Sequence, residues 1–156
     1  MKRLSRHNER IIVSGCLAGL PCSYDGKDRL SHVVREIVDS GRGITACPEQ
    51  LGGRPTPREA TELAAGDGNV VLEGKAKALT KSGADVTAEF IRGAERTLRL
   101  AKKKGCRKAI LKARSPSCGS GKVYDGTFSG GLKDGDGVAA ALLKREGIEV
   151  LTEEDI

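Results

Sequence analysis

The stretch IIVSGCLAGLPCSYDG, residues 11–26, begins with a short apolar run and continues into a segment that holds two cysteines. Its first three residues are apolar and β-branched, and they predict a short buried strand over residues 11–14. The glycines and the proline that come next predict a loop. Cys16 and Cys22 therefore stand directly after the carboxyl end of a strand, which raises the question of what their thiols do there.

Strands and helices alternate along the rest of the chain. Apolar periodicity and turn residues predict helices over residues 30–39, 85–104 and about 136–146, and short strands over residues 43–46, 70–72, 76–80, 108–112 and 148–151. Gly and Pro predict long loops over residues 51–68 and 115–135. This alternation predicts an α/β fold with a Rossmann-like open parallel sheet flanked by helices. We expect a single domain over residues 10–156 and a basic N-terminal tail over residues 1–9.

Composition narrows the possible functions. No apolar run approaches the roughly 20 residues that a transmembrane helix requires, and the basic N-terminus leads into no signal peptide. We therefore expect a cytoplasmic protein without a membrane partner. Only two Tyr and two Phe are present to stack on bases, so the net charge of +6 does not by itself predict nucleic-acid binding. In the cytoplasm, five cysteines indicate metal binding, catalysis or burial rather than disulfides.

Three of the five cysteines follow three different predicted strands. Cys16, Cys47 and Cys118 each stand just past a carboxyl end, and these ends share one edge of a parallel sheet, where ligands usually bind. We expect the three thiols to converge there. Cys22 lies on the same loop as Cys16 and can reach the same crevice. Cys106 precedes its strand, so we expect it to be a buried thiol at the opposite edge.

Three thiolates around a crevice are the ligand type of an iron–sulfur cluster. A four-iron cubane held by three cysteines has one iron without a protein ligand. Zinc is less favoured because the chain has no closely spaced cysteine pair and because His7 and His32 are poorly placed. Spacing alone leaves redox thiols and inert core cysteines as alternatives.

Several long segments together resemble one known family. They are GCLAGLPCSYDG, CPEQLGGRPTPRE, LTKSGADVTAEFIRGAERTL and AILKARSPSCGSGKVYDGTFSGGLKDGDGVAAALL. Over about residues 10–150 the chain resembles the bacterial family that includes the thiouracil desulfurases. The resemblance implies an enzyme that depends on a [4Fe–4S] cluster and cleaves a carbon–sulfur bond. Its substrate would be a small thiolated pyrimidine such as 2-thiouracil, converted to uracil and sulfide without net redox change.

The resemblance also implies a ligand set. Cys16, Cys47 and Cys118 would hold the cluster, one iron would lack a protein ligand, and Cys22 would lie beside the cluster or serve as an alternative ligand. The chain departs from the usual family pattern at Ser23, where arginine is common, and at Arg54, where leucine is common. Both positions lie near the expected pocket, so they bear on the identity of the substrate.

Two further residues are candidates for proton transfer. The resemblance implies that Glu49, two residues past Cys47, acts as a general acid or base for the attacking water. Ser115 and Ser117 flank the proline before Cys118, and we favour Ser115 as the hydroxyl that binds the substrate or relays a proton. The alternatives are that Glu49 caps the following turn and that Ser115 is an ordinary turn residue.

Arg58 has two possible roles in this pattern. It would either clamp an anionic group or pair at the surface with Glu59 or Glu62. The two Tyr-Asp-Gly segments, residues 24–26 and 124–126, predict Asp-Gly turns.

Two other classes of function also remain from the sequence: an iron–sulfur binding module without catalysis, and a thiol redox protein that uses two cysteines of the first loop.

Overall fold

The computed structural model describes residues 9–156, so all of the predicted basic tail except Glu9 lies outside the described residues. The strands are β1 (Ile11–Ser14), β2 (Gly43–Ala46), β3 (Thr61–Ala64), β4 (Lys77–Thr80), β5 (Lys108–Leu111), β6 (Lys122–Tyr124), β7 (Leu132–Asp134) and β8 (Glu149–Thr152). The α-helices are α1 (His32–Asp39), α2 (Pro48–Leu51), α3 (Gly68–Leu72), α4 (Thr87–Lys104) and α5 (Val138–Arg145). Within this part of the chain, no helix is long and apolar enough to cross a membrane.

Four strands form a parallel sheet in the order β2-β1-β5-β8. The chain runs from β1 outward to β2 and later returns to β5 on the other side of β1. The winding direction therefore reverses between β1 and β5, and the loops after these strands diverge there to leave a crevice. This topology confirms the predicted α/β fold with an open parallel sheet.

Alternate residues of β1 pack on opposite faces of the sheet. Ile11 and Val13 share a core cluster with Val34 of α1. Ile12 belongs to a second cluster together with Ala101 of α4. Because successive side chains of a strand point to opposite faces, helices cover the sheet on both sides, as in a doubly wound fold.

One predicted strand is a helix. Residues 70–72 are apolar and predicted to be extended, but they belong to α3. The side chain of Asp67 accepts the backbone N–H groups of Asn69 and Val70 at 3.0 and 3.3 Å and so caps the helix. The prediction was wrong because a three-residue apolar run has no periodicity that separates a strand from a helix.

Both predicted long loops contain short antiparallel strands. β3 lies in the first of them and pairs with β4, and β6 and β7 form a hairpin within the second. Strands of three or four residues between glycines show too little alternation to be recognised in the sequence. The β3–β4 pair is important for the site, because β3 supplies part of its wall.

Candidate active site

A cavity of about 540 Å³ opens at the carboxyl edge of the parallel sheet. The loops after β1, β2 and β5 supply most of its wall, and β3, the segment before it and Tyr124 of β6 supply the rest. Cys16, Cys22, Cys47 and Cys118 all line it, which confirms the predicted convergence of the thiols. Cys106 lies in the core against the α4–α5 face and is not part of the wall, as predicted.

The first loop folds back on itself so that its two thiols meet. After β1 the chain makes a short 3₁₀ helix, Gly15–Ala18, which ends at Gly19 in a left-handed conformation with φ of 96°. A side chain at Gly15 would place its Cβ only 3.1 Å from the sulfur of Cys22. The absence of a side chain at this glycine therefore lets the Cys22 thiol reach the same cavity as that of Cys16.

Hydrogen bonds among the thiols separate their pKa values. Hydrogen bonding to Cys22 lowers the pKa of Cys16, and it lowers the pKa of Cys47 to about 7, with a smaller contribution from the charge of Arg58. The same hydrogen bonds and burial raise the pKa of Cys22. Of these three thiols, Cys22 is therefore the one that keeps its proton, while Cys16 and Cys47 become thiolates more readily.

Cys118 is the most enclosed of the four thiols. Burial raises its pKa to about 12. The hydroxyls of Ser14 and Ser117 each lie 3.5 Å from its sulfur. Ser14 can donate to it, because the Ser14 oxygen accepts the backbone N–H of Lys112 at 2.9 Å and keeps its own proton for the sulfur. A bound metal would replace the proton of this thiol and offset the cost of burying it as a thiolate.

The start of α5 holds the loop before Cys118. The first N–H groups of an α-helix have no partner within the helix. Here Val138 donates to the carbonyl of Pro116 at 2.9 Å and Ala139 donates to that of Ser117 at 2.8 Å. A Cβ at Gly137 would lie 2.4 Å from the carbonyl carbon of Ser117, so this contact requires glycine. The loop is thus fixed by backbone contacts that leave its side chains free for the cavity.

Glu49 lies in the first turn of α2, directly after Pro48. Its Oε2 accepts the hydroxyl of Ser117 at 2.9 Å, and its Oε1 accepts Nε of Arg58 at 3.0 Å. Both carboxylate oxygens are therefore engaged with other segments that line the cavity. The alternative role, a side-chain cap of the following turn, does not describe this carboxylate.

The predicted surface pairing of Arg58 with Glu59 or Glu62 is wrong, whereas its role in clamping an anionic group stays a prediction. Its side chain is only 3 % exposed, and it forms its ion pair with Glu49 rather than with Glu59 or Glu62. It also donates to the backbone carbonyl of Cys22 at 3.1 Å. The guanidinium thus joins the first cysteine loop to the carboxylate that follows the second strand. Local sequence pattern does not indicate this pair, because its two members lie in different segments.

The two serines of the Ser-Pro-Ser-Cys segment have different environments. Ser115 Oγ accepts the backbone N–H groups of Ser117 and Cys118 at 3.2 and 3.1 Å. It also lies 3.1 Å from Ser117 Oγ. Ser117, which the sequence does not favour over Ser115, is the serine in contact with Glu49. The side chains form a hydrogen-bonded row in the order Ser115, Ser117, Glu49, and both serines line the cavity.

The thiols around the cavity fit an iron–sulfur cluster better than a single ion. Among residues 9–156, no group of three His, Cys, Asp or Glu side chains is arranged to hold a single metal ion. A cubane binds each thiolate through a different iron, so its ligands are more widely spaced than those of a mononuclear site. Thiolates are soft ligands, and iron–sulfur clusters prefer ligands of this type.

Comparisons with known proteins agree with this arrangement. The model of the 2-thiouracil desulfurase family matches residues 11–155. The uncharacterised protein YbbK of Bacillus subtilis (strain 168) is 49% identical over 146 residues, which cover 94% of this chain and 97% of YbbK. A solved structure of the [4Fe-4S]-dependent thiouracil desulfidase TudS is 45% identical and superposes with a TM-score of 0.84, covering 95% of this chain and 93% of that one. The chain belongs to the 2-thiouracil desulfurase family.

Proposed function

We propose that the protein is a [4Fe–4S]-dependent desulfidase that hydrolyses the carbon–sulfur bond of a thiolated pyrimidine such as 2-thiouracil. Family membership supports this activity. One observation in the structure carries it: three thiols from three strand ends line one cavity with a carboxylate that is hydrogen-bonded to a serine hydroxyl. Water and thiouracil then give uracil and hydrogen sulfide, and the reaction involves no net oxidation or reduction.

Cys16, Cys47 and Cys118 are the proposed cluster ligands. Cys22 is assigned to the thiol beside them, because it shares the first loop with Cys16 and hydrogen-bonds to Cys16 and Cys47. When bound, the cluster supplies a Lewis-acidic iron without a protein ligand, which polarises the carbon–sulfur bond of the substrate. Ser14 would stabilise the third thiolate by donating to its sulfur.

Glu49 is the proposed general acid and base. Its carboxylate removes a proton from the water that attacks the thiocarbonyl carbon, and it returns a proton as the sulfur leaves. Ser117 orients the carboxylate, and Ser115 extends the hydrogen-bonded row by one hydroxyl, so that it can relay a proton or bind the substrate. Arg58 holds the carboxylate from the other side.

We further propose that the enzyme acts in the cytoplasm on a free small molecule rather than on a nucleic acid. All five cysteines are free thiols in the structure, as expected in a reducing compartment. The cavity of about 540 Å³ is of the size that small-molecule sites usually have.

The test is an anaerobic assay of sulfide release from 2-thiouracil. Protein reconstituted with iron and sulfide, and then freed of excess reagents, should release sulfide, whereas the same preparation after removal of iron should release none. Activity that survives iron removal would indicate a thiol redox protein. A stable cluster without sulfide release would indicate a binding module.

A further inference from the structure

A second carboxylate lines the cavity, and no step of the proposed reaction uses it. Glu62 lies in β3, outside the parallel sheet that carries the cysteine loops, and it is only 8 % exposed. Buried carboxylates are normally paired with a cation or saturated with hydrogen bonds. Among residues 9–156, Glu62 forms no ion pair, so its hydrogen bonds decide what it does.

One oxygen of this carboxylate is fully used by the protein backbone. Oε1 of Glu62 accepts the N–H groups of Gly126 and Phe128 at 2.9 and 3.1 Å. The loop between β6 and β7 is shaped for these contacts, because Phe128 has a left-handed φ of 57°. Gly126 is pressed so closely against β3 that a Cβ there would lie 2.8 Å from the carbonyl oxygen of Leu63. The orientation of the carboxylate is therefore fixed.

The other oxygen remains open. Oε2 of Glu62 accepts no hydrogen bond from any described residue, and it is not among the fully enclosed polar atoms without a partner. Since Glu62 is part of the cavity wall, this oxygen is an acceptor accessible to a molecule in the cavity. A rigid anionic acceptor without a protein partner is suited to a ligand that brings an N–H donor.

We propose that Glu62 selects the substrate by accepting one of its ring N–H groups. This inference rests on the proposed function, because 2-thiouracil carries an N–H on each side of the thiocarbonyl carbon. The carboxylate favours a ring nitrogen that carries hydrogen and disfavours one that presents a lone pair. Glu62 is thus a specificity-determining residue, whereas Glu49 acts on the attacking water.

The test compares Glu62→Gln with the parent, using calorimetry of uracil binding to the reconstituted protein. The amide oxygen of Gln can still accept Gly126 and Phe128, but its NH₂ replaces the open acceptor with a donor. We expect the Kd for uracil to rise about 10- to 100-fold, the usual effect of losing a hydrogen bond to a charged group. Cluster absorption and the thermal unfolding midpoint should remain unchanged. Glu59→Gln is the matched control, because Glu59 also accepts a backbone N–H but does not line the cavity.

Methylated uracils provide a readout that needs no variant. Glu62 contacts only one of the two ring N–H groups, so the parent should bind one of the two derivatives, 1-methyluracil or 3-methyluracil, about 10- to 100-fold more weakly than uracil. Glu62→Gln should not weaken the binding of that derivative any further. Equal binding of uracil and both derivatives by the parent would overturn the inference even if the variant failed to fold. The inference would also be overturned if a folded Glu62→Gln variant had a Kd for uracil within threefold of the parent value.

Failure of the proposed function has a different signature. A parent protein that releases no sulfide from 2-thiouracil at full cluster content would overturn that function, and the inference with it. A parent that releases sulfide, combined with unchanged uracil binding in Glu62→Gln, would overturn the inference alone and leave Glu62 as an anchor for the β6–β7 loop.

Discussion

Each oxygen of the Glu49 carboxylate has one protein partner, a hydroxyl on one side and a guanidinium on the other. This arrangement fixes the carboxylate next to the cysteine that precedes α2 and within the wall of the cavity. Glu49→Gln keeps the shape of the side chain and removes its ionisation. If Glu49 moves protons to and from water, turnover should fall by roughly 10²–10⁴ while the cluster still forms.

Sulfide release per iron, measured anaerobically at saturating 2-thiouracil, tests the role of Glu49. The visible absorption of the cluster is recorded on the same samples, so that loss of turnover is separated from loss of cofactor. Glu95→Gln on the exposed side of α4 is a suitable control and should match the parent. A Glu49→Gln variant within threefold of the parent rate would contradict the catalytic assignment.

The ligand set is a second prediction at the level of single residues. Replacing Cys16, Cys47 or Cys118 by Ser should abolish the broad visible absorption of the reconstituted cluster, because two thiolates hold a cubane poorly. Cys106→Ser should retain it, because Cys106 lies in the core away from the cavity. Cys22→Ser should also retain the cluster. A cluster that survives Cys118→Ser but not Cys22→Ser would show that the ligand set is wrong.

The contact between α2 and α4 sets the position of the residues that begin α2. A Cβ at Gly93 of α4 would lie 1.9 Å from the carbonyl oxygen of Pro48. Alanine is favoured over glycine within a helix by about 1 kcal/mol, so local propensity alone predicts that Gly93→Ala stabilises the protein. The close contact predicts the opposite: a loss of about 1–3 kcal/mol and a lower cluster content, because α2 must move.

Urea unfolding of the iron-free protein measures this effect, and iron analysis after reconstitution measures the cofactor. Glu95→Ala, at an exposed position of the same helix, is the matched control and should change stability little. A Gly93→Ala variant as stable as the parent would mean that α2 and α4 are not packed as closely as described.

The ion pair between Arg58 and Glu49 connects the segment before β3 to α2. Because Arg58 is almost fully buried, removing it leaves a carboxylate without its charged partner, which typically costs about 3–5 kcal/mol. Arg58→Met should therefore destabilise the iron-free protein by about that amount in urea unfolding. The double variant with Glu49→Gln should recover part of the loss, because the stranded charge is then absent.

A surface ion pair provides the comparison for this prediction. Arg35 and Asp39 form an exposed pair on α1, and such pairs contribute at most about 1 kcal/mol. Arg35→Met should accordingly have a small effect. An Arg58→Met variant no more destabilised than Arg35→Met would contradict a structural role for the buried pair.

For the molecule as a whole, the features that depend on local pattern and topology can be predicted from the sequence. The carboxyl ends of β1, β2 and β5 share one edge of the sheet, so the convergence of Cys16, Cys47 and Cys118 is predictable from the order of the elements. The Asp-Gly turns are also local: Asp25 accepts the N–H of Lys27 at 3.1 Å, as the turn prediction requires.

Contacts between distant segments cannot be predicted in this way. From the sequence we favour Ser115, but only the fold shows that Ser117 is the serine beside Glu49, which is 68 residues away. The short β3 strand lies within a segment rich in Gly and Pro that predicts a loop, so the position of Glu62 in the cavity wall is equally unpredictable. Side-chain partners of this kind depend on tertiary packing, which local propensity does not encode.

The most direct test of the proposed desulfidase is the joint measurement of uracil and sulfide formed from 2-thiouracil. Preparations with increasing [4Fe–4S] content per chain are compared anaerobically and without an electron donor. We predict one sulfide for each uracil and a rate proportional to cluster content, because the reaction is a hydrolysis that depends on the cofactor. Absence of uracil at full cluster content, or a requirement for a reductant, would contradict the proposal.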